Sequence, residues 1–314
     1  MSNIFTKLPQ PFFVLAPMDD VTDTVFRQVV AKCAPPDLYF TEFVSVDGLQ
    51  SPGRTSLMDK LKFTDAERPL IAQIWGLKPE NYEQTARDLV AMGFAGIDIN
   101  LGCPVPKVVK MGACSALINN RELATELIAA TKRGAGELPV SIKTRIGIKE
   151  LDLSWIEFLL KQDLAALTVH TRTVKAMSKV PADWAVFEEI VKLRDQLAPK
   201  TVLIGNGDVL SRQQGLELAQ RYGLEGIMIG RGVFHDPFVF AADSPWADMD
   251  RRARLDLFAD HIKLFMSTWG ETHNPASLKK FAKIYVNGFA GASELRVKLM
   301  AARSAAELLA LVLE

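Results

Sequence analysis

The chain has 314 residues, which at roughly 150 residues per domain excludes a single small domain and leaves room for one barrel-sized unit with a smaller companion. Hydrophobic residues make up 48% and charged ones 24%, the balance of a folded globular protein and far from the composition of a disordered one. Lysine and arginine total 37 and are matched by 37 acidic residues, so no global field draws in a polyanion, and a nucleic acid must be held by a local basic patch. Three cysteines, Cys33, Cys103 and Cys114, include no CxxC pair. They exclude a disulfide framework or a four-cysteine zinc site and suit a reducing compartment, so a cytoplasmic location and no bound metal are expected. No run approaches the roughly 20 apolar residues of a membrane span, and the first residues meet Pro9 and Pro11 before any apolar run begins. Neither a signal peptide nor membrane association is expected.

Short apolar, β-branched runs stand at 13–18, 38–43, 70–75, 96–100, 140–145, 166–171, 201–205 and 226–229. Between them, amphipathic stretches at 23–32, 79–92, 121–133, 154–161, 184–197 and 211–222 carry helical periodicity. The alternation predicts βα units around a parallel sheet. Eight strands in about 220 residues fit a closed (β/α)8 TIM barrel better than an open doubly wound sheet. Only 45–63 shows no clear helix. The barrel is expected over 1–243.

Beyond Phe240 the strand signals stop. Helices are predicted at 251–269, 275–289 and 293–313, separated by turn-formers near Gly270 and between Gly288 and Gly291, so 244–314 reads as an all-α C-terminal domain. From Lys279 to Arg303 the basic residues Lys279, Lys280, Lys283, Arg296, Lys298 and Arg303 meet a single acid, Glu294. Such a run is either a solvated helix face or a surface for nucleic-acid phosphates.

In a barrel of this kind the chemistry sits at the C-terminal strand ends, where the βα loops converge. Those ends carry Pro17 and Met18, Gln73, Asn100, Lys143 with Arg145, His170 with Arg172, Asn206 with Asp208, and Arg231. Singly, Gln73, Asn100 and His170 have a plain alternative as groups that satisfy loop backbone. Lys143 is harder to set aside, because an ammonium in the apolar run Val140-Ser141-Ile142-Lys143 is costly unless an anion or an electron-rich ring faces it. Gly205-Asn206-Gly207-Asp208 and Gly230-Arg231-Gly232 place glycines where loops seven and eight of such barrels often cradle a phosphate, with Arg231 as charge partner. One phosphate site above Lys143 and His170 suits a mononucleotide such as FMN. Cys103, in Asn100-Leu101-Gly102-Cys103-Pro104, is either a buried small hydrophobe or a proton donor; at an ordinary pKa near 8.5 it is mostly protonated at pH 7. Cys33 and Cys114 are expected to contribute little.

These residues resemble the FMN-dependent tRNA-dihydrouridine synthases over nearly the whole chain. The opening is similar in Leu15-Ala16-Pro17-Met18, Val21-Thr22-Asp23 and Phe26-Arg27, followed by Thr41-Glu42-Phe43-Val44. The signature loop is similar in Asp98-Ile99-Asn100-Leu101-Gly102-Cys103-Pro104, Lys107-Val108 and the stretch from Gly112 to Leu117. Ser141-Ile142-Lys143-Thr144-Arg145, Val169-His170-Thr171-Arg172-Thr173 and the two glycine loops follow in order. Tyr285-Val286-Asn287-Gly288 and Ser293-Glu294-Leu295-Arg296 extend the likeness into the tail. The resemblance implies a barrel that holds FMN, NADPH as reductant, and a helical domain that helps clamp tRNA. By it, Ala16, Pro17, Met18, Gln73, Lys143, His170, Asn206, Gly207, Asp208, Gly230 and Arg231 would hold FMN. Cys103 would protonate C5 of the uracil while hydride reaches C6, and Asn100 and Arg145 would face the uracil. The basic tail would meet tRNA through Lys279, Lys280 and Lys283, and a monomer is expected.

The sequence departs from that family at Asp20 and Cys114, where glycine is usual, and at Phe281, where histidine is frequent. The family also carries a tyrosine eight residues after the histidine of strand six, where this chain has Ser178 flanked by Ala176 and Val180. Two other readings accompany the leading one: an FMN barrel acting on a free small molecule, and a flavoprotein that binds RNA without turnover.

Overall fold

The computed structural model describes residues 3–270 and 273–314; Met1 and Ser2, at the start of the expected barrel domain, and Glu271 and Thr272, between two expected helices, lie outside the described residues. The strands are β1 (Phe12–Leu15), β2 (Leu38–Phe40), β3 (Val44–Ser45), β4 (Leu70–Trp75), β5 (Gly96–Leu101), β6 (Val140–Arg145), β7 (Ala166–His170), β8 (Val202–Asn206) and β9 (Gly226–Ile229). All pairings are parallel, and the sheet closes because β1 pairs with both β2 and β9 while β2 pairs with β4. Since β2 and β3 both lie against β4, they are two pieces of one barrel position. The fold is the expected eight-position barrel.

Local chemistry sets where the strands end. Ala16 still donates its N–H to the Ile229 carbonyl at 2.9 Å, but Pro17 has no N–H to continue the ladder, so β1 stops before the expected residue 18. The second strand breaks at Thr41, whose hydroxyl donates to the Glu42 carbonyl at 2.7 Å and accepts the Gln73 N–H at 3.0 Å. That side chain stands in for a backbone partner. The barrel floor is plugged by Phe5, fully buried on a short 3-10 helix (Ile4–Thr6), against Phe12, Leu38, Ala166 and Val202. The apolar plug leaves only the opposite end, the C-terminal strand ends, for polar chemistry.

The stretch 45–63 does contain helix, a four-residue α-turn (Val46–Leu49) and a 3-10 helix (Arg54–Leu61); three residues per turn escape a search at 3.6. Among the described residues the tail holds four helices where three are expected: Arg251–Trp269, Ala276–Tyr285, Ala292–Ala301 and Ala305–Leu313. The predicted helix over 293–313 is interrupted because Ser304 accepts the Glu307 N–H at 3.1 Å while Glu307 accepts the Arg303 N–H at 2.7 Å. This exchange starts a new helix. The tail packs on the barrel helix Thr24–Cys33, where Phe26 stacks on Phe281 at 4.5 Å and lies 5.9 Å from His261. No helix among the described residues is long and apolar enough to cross a membrane.

Candidate active site

A column of hydrogen bonds rises through the barrel from a buried carboxylate to the loop after β5. Asp98 accepts from the Ser141 hydroxyl at 2.6 Å and from Gln73 Nε2 at 2.7 Å. Gln73 Oε1 accepts from Asn100 Nδ2 at 3.0 Å, and Asn100 Oδ1 accepts the N–H groups of Gly102 and Cys103, both at 3.0 Å. Burial pushes the Asp98 carboxyl up to about 6 against the bonds from Ser141 and Gln73. The side chains on the inward face of β4, β5 and β6 thus fix the backbone that carries Cys103. Gln73 and Asn100, expected to meet cofactor and uracil, are both engaged in this column.

Beside the column lies a cleft of about 510 Å³ lined by Ala16, Pro17, Met18, Lys143, His170 and Asn206 among others, with Gly207, Asp208, Gly230 and Arg231 on its glycine-loop side. A smaller lobe of about 280 Å³ adjoins it, lined by Gln73, Asn100, Gly102, Cys103 and Pro104. Pro17, Lys143, Arg145 and His170 line both. Every residue expected to hold the mononucleotide therefore lies around these two lobes, as do Cys103, Asn100 and Arg145.

The cleft is strongly electropositive. Lys143 makes no hydrogen bond or ion pair among the described residues, and burial, reinforced by Arg145, pulls its ammonium down to about 8. Arg145 donates through Nε to the Gly102 carbonyl at 3.1 Å and through Nη1 to the carbonyls of Thr173 and Met177 at 3.0 and 2.9 Å. Burial and Arg172 lower it to about 10. His170 is held far below the usual imidazole range by burial and by the positive charges of Lys143, Arg145, Arg172 and Arg231. It is neutral, and its Nε2 accepts from Arg172 Nη1 at 3.1 Å, since arginine has only hydrogens to offer. Arg172, absent from the expected site residues, also pairs with Asp208, and Arg231 reaches the other Asp208 oxygen at 2.8 Å. Asp208 sits at φ +53 next to Gly207 at φ +142, and its carboxylate aims two guanidinium groups.

Cys103 is 8% exposed at the edge of the smaller lobe. Cys114, buried at the start of the short 3-10 helix Cys114–Asn119, lies in the same region of the chain. Hydrogen bonding to the Cys114 side chain, opposed by burial, brings the Cys103 thiol down to about 7, whereas Cys114 is pushed well above the ordinary range. Cys103 is therefore a stronger acid than an ordinary thiol.

The tail lysines lie away from both lobes. Lys279 donates to the Met300 carbonyl at 2.9 Å, Lys280 pairs with Asp20 at 3.5 Å, and Lys283 is exposed. Lys280 and Asp20 line a separate cleft of about 350 Å³ between barrel and tail, together with Glu42, Lys60, Trp269 and Phe281.

A family model described as dihydrouridine synthase (Dus) matches residues 14–314. The chain belongs to that family. Among curated relatives of this dihydrouridine synthase family member, a probable tRNA-dihydrouridine synthase of Staphylococcus aureus (strain COL) is 48% identical over 99% of this chain and 94% of its own length. Probable tRNA-dihydrouridine synthase 2 of Bacillus subtilis (strain 168) is 47% identical over 99% and 95%. Among solved structures, morphinone reductase in complex with tetrahydroNAD shares the fold with a TM-score of 0.52 at 13% identity, covering 76% of this chain and 89% of that one. The old yellow enzyme homologue of Zymomonas mobilis does so at 0.51 and 14%, over 72% and 86%.

Proposed function

We propose that this protein reduces uridine to 5,6-dihydrouridine in tRNA, with FMN in the larger lobe, NADPH as reductant and Cys103 as the proton donor. The observation that carries the reading is the juxtaposition of a cationic cleft with an unpartnered Lys143 and a fixed acidic thiol at its edge. Family membership supplies the reaction class.

The residues suit the cofactor. The glycine loops, with Arg231 aimed by Asp208, offer backbone and charge to a phosphate, and Lys143 and neutral His170 face the place where an electron-rich ring would lie. Ala16, Pro17, Met18, Asn206, Gly207 and Gly230 complete that lining, with Gln73 on the adjoining smaller lobe. When bound and reduced, the flavin supplies hydride to C6 of the uracil. Cys103 then delivers a proton to C5, and Arg145, whose Nη2 makes no bond among the described residues, stabilises negative charge on the conjugated carbonyl. Asn100 serves chiefly by holding the Cys103 backbone. The base has to leave the tRNA stack to reach this floor, and residues 244–314, a helical domain bearing Lys279, Lys280 and Lys283, would hold the tRNA beside the mouth of barrel domain 1–243. A cytoplasmic monomer suits such a substrate.

The test is direct. Purified protein should be yellow with one FMN per chain, and with NADPH and an unmodified tRNA transcript it should form dihydrouridine, read by mass spectrometry. A flavoprotein that oxidises NADPH but leaves every uridine intact would overturn the substrate; a protein that cannot be loaded with flavin would overturn the cofactor.

A further inference from the structure

The buried Arg172 guanidinium gives each of its nitrogens a different partner. Nε donates to the Val180 carbonyl at 2.6 Å, Nη2 pairs with the Asp208 carboxylate, and Nη1 donates to His170 Nε2 at 3.1 Å. Asp208 is itself fixed, since it accepts the Ala182 N–H at 3.0 Å and Arg231 Nη2 at 2.8 Å. The first two Arg172 contacts tie the loop after β7 to the loop after β8. The third acts on the imidazole. Arginine has only hydrogens to offer, so the His170 nitrogen that meets it must carry a lone pair. A neutral imidazole has one such nitrogen and one N–H, and fixing the first fixes the second, which places the proton on Nδ1. The orientation of the ring agrees. His170 Cδ2 lies on the side of Gly207, 3.4 Å from where a β-carbon on that residue would stand, so the Nε2–Cδ2 edge is turned to the loops. Nδ1, across the ring, has no hydrogen-bond partner among the described residues, and His170 lines both lobes of the cleft.

We propose that Arg172, held in place by Asp208, is a positioning residue for the cofactor site: by donating to Nε2 it fixes His170 as the Nδ1–H tautomer, so that the imidazole presents a hydrogen-bond donor to the FMN ring. The inference rests on the reading of the larger lobe as the FMN site. The other tautomer would turn a lone pair into the cleft and repel the electron-rich atoms of the ring. A doubly protonated imidazole would donate on both sides, but burial and the charges of Lys143, Arg145, Arg172 and Arg231 exclude it. A donor at Nδ1 therefore requires that Nε2 carry no hydrogen, and a partner that can only donate enforces this. Arginine suits the task because its planar fork meets Val180, Asp208 and His170 in three fixed directions and keeps its charge at every working pH. Lys143, on the neighbouring strand, is likewise a donor without a partner among the described residues. Two donors facing the ring hold the negative charge that it takes on when reduced.

The experiment uses the full-length, FMN-loaded protein with isotope-labelled histidine, and its variants Arg172→Met and Arg172→Lys. Methionine fills the space without a donor, and lysine keeps a cation that can only donate. Two-bond proton–nitrogen correlation spectra show which ring nitrogen carries the proton in each of the four histidines, and the pattern lost in His170→Gln assigns this one. At pH 7 the wild type should show His170 as Nδ1–H alone. Arg172→Met should populate the Nε2–H form, weaken FMN binding by about tenfold and lower the flavin reduction potential, whereas Arg172→Lys should keep the tautomer and most of the affinity. In the His170→Gln background Arg172→Met should change FMN affinity little further, because the effect runs through the imidazole. An Nε2–H pattern in the wild type overturns the proposal without any variant, so a variant that fails to fold does not shield it. An unchanged tautomer in Arg172→Met, or a loss of affinity equally large without His170, leaves Arg172 as a tie between loops and overturns the positioning role. A tautomer that moves while affinity and potential stay fixed overturns the donor role toward the flavin. A protein that takes up no flavin overturns the cofactor reading, and the donor role with it, whatever the tautomer.

Discussion

Arg27 and Glu67 form an ion pair at 2.6 Å with neither side chain exposed. Arg27 also donates to the Thr22 and Lys62 carbonyls at 2.6 and 2.7 Å, and Glu67 accepts from the Thr24 hydroxyl at 2.7 Å. Each of the three Arg27 nitrogens and both Glu67 oxygens are bonded, which is what a charge taken out of water requires. The pair also fixes the helix that carries Phe26, the ring on which the tail is stacked. Glu67→Ala leaves Arg27 uncompensated and should cost about 3–5 kcal/mol of stability, measured by urea unfolding. A loss below about 1 kcal/mol would mean that water reaches the site and the burial is not maintained in solution.

The same joint has a pH dependence of definite sign. His261 is fully buried among Phe26, Phe258 and Phe281, shares a 3.0 Å hydrogen bond with Tyr285, and burial pulls its imidazole down to about 3. Below about pH 6.5 the unfolded chain binds a proton that the folded chain refuses, so stability falls as pH drops through the window from 6.5 towards 3. At pH 5 the loss from this one group amounts to about 2 kcal/mol. His170 acts in the same direction. His261→Phe should be less stable than the wild type at pH 7, where it leaves the Tyr285 hydroxyl without its partner, yet lose less between pH 7 and pH 5. Parallel melting curves for the two proteins across that range would remove His261 as the cause.

Much of this architecture is legible before any coordinates. Six of the eight predicted barrel strands keep their expected starts and ends to within one residue on both sides, because runs such as Val140-Ser141-Ile142 and Gly226-Ile227-Met228-Ile229 alternate sharply with turn-formers. The polar strand ends are legible for the same reason, since strand ends in a barrel share one rim. Interactions across the chain are not. Asp98 lies inside a run that reads as plain strand, and only the closed ring brings it to Gln73 and Ser141. Arg172 is visible at a strand end, but its grip on Asp208 depends on the positive φ of that aspartate. The Ser304 to Glu307 signal that divides the last helix is in the sequence; the apolar period on either side simply masks it.

Cys103→Ala should leave FMN content and NADPH oxidation near wild-type levels and lower uridine reduction by roughly 10²-fold or more, the scale of a lost general acid. The Asn100 bonds go to backbone N–H groups, so the loop keeps its shape when the sulfur is removed. Cys33→Ala, which touches neither lobe, is the control. Equal losses in both variants would assign the effect to packing and remove Cys103 from the chemistry.

The tail calls for a sharper test than removing all its charge at once. Lys283 is exposed and has no ion-pair partner among the described residues, Lys279 is engaged with the Met300 carbonyl, and Lys280 is held by Asp20. Asp20 occupies a φ of +56, so Asp20→Gly suits the backbone while freeing Lys280. The exposed pair is worth at most about 1 kcal/mol to stability, and its removal should not unfold the joint. Each lysine that neutralises a phosphate releases counterions and steepens the salt dependence of binding by about one unit. Asp20→Gly should therefore bind tRNA more tightly at low salt with a steeper slope, Lys283→Ala more weakly with a shallower one, and neither should change FMN content or NADPH oxidation. Filter binding over a salt series distinguishes them. Slopes unchanged in both variants would make this helix an ordinary solvated face and move the tRNA contact to another part of the mouth.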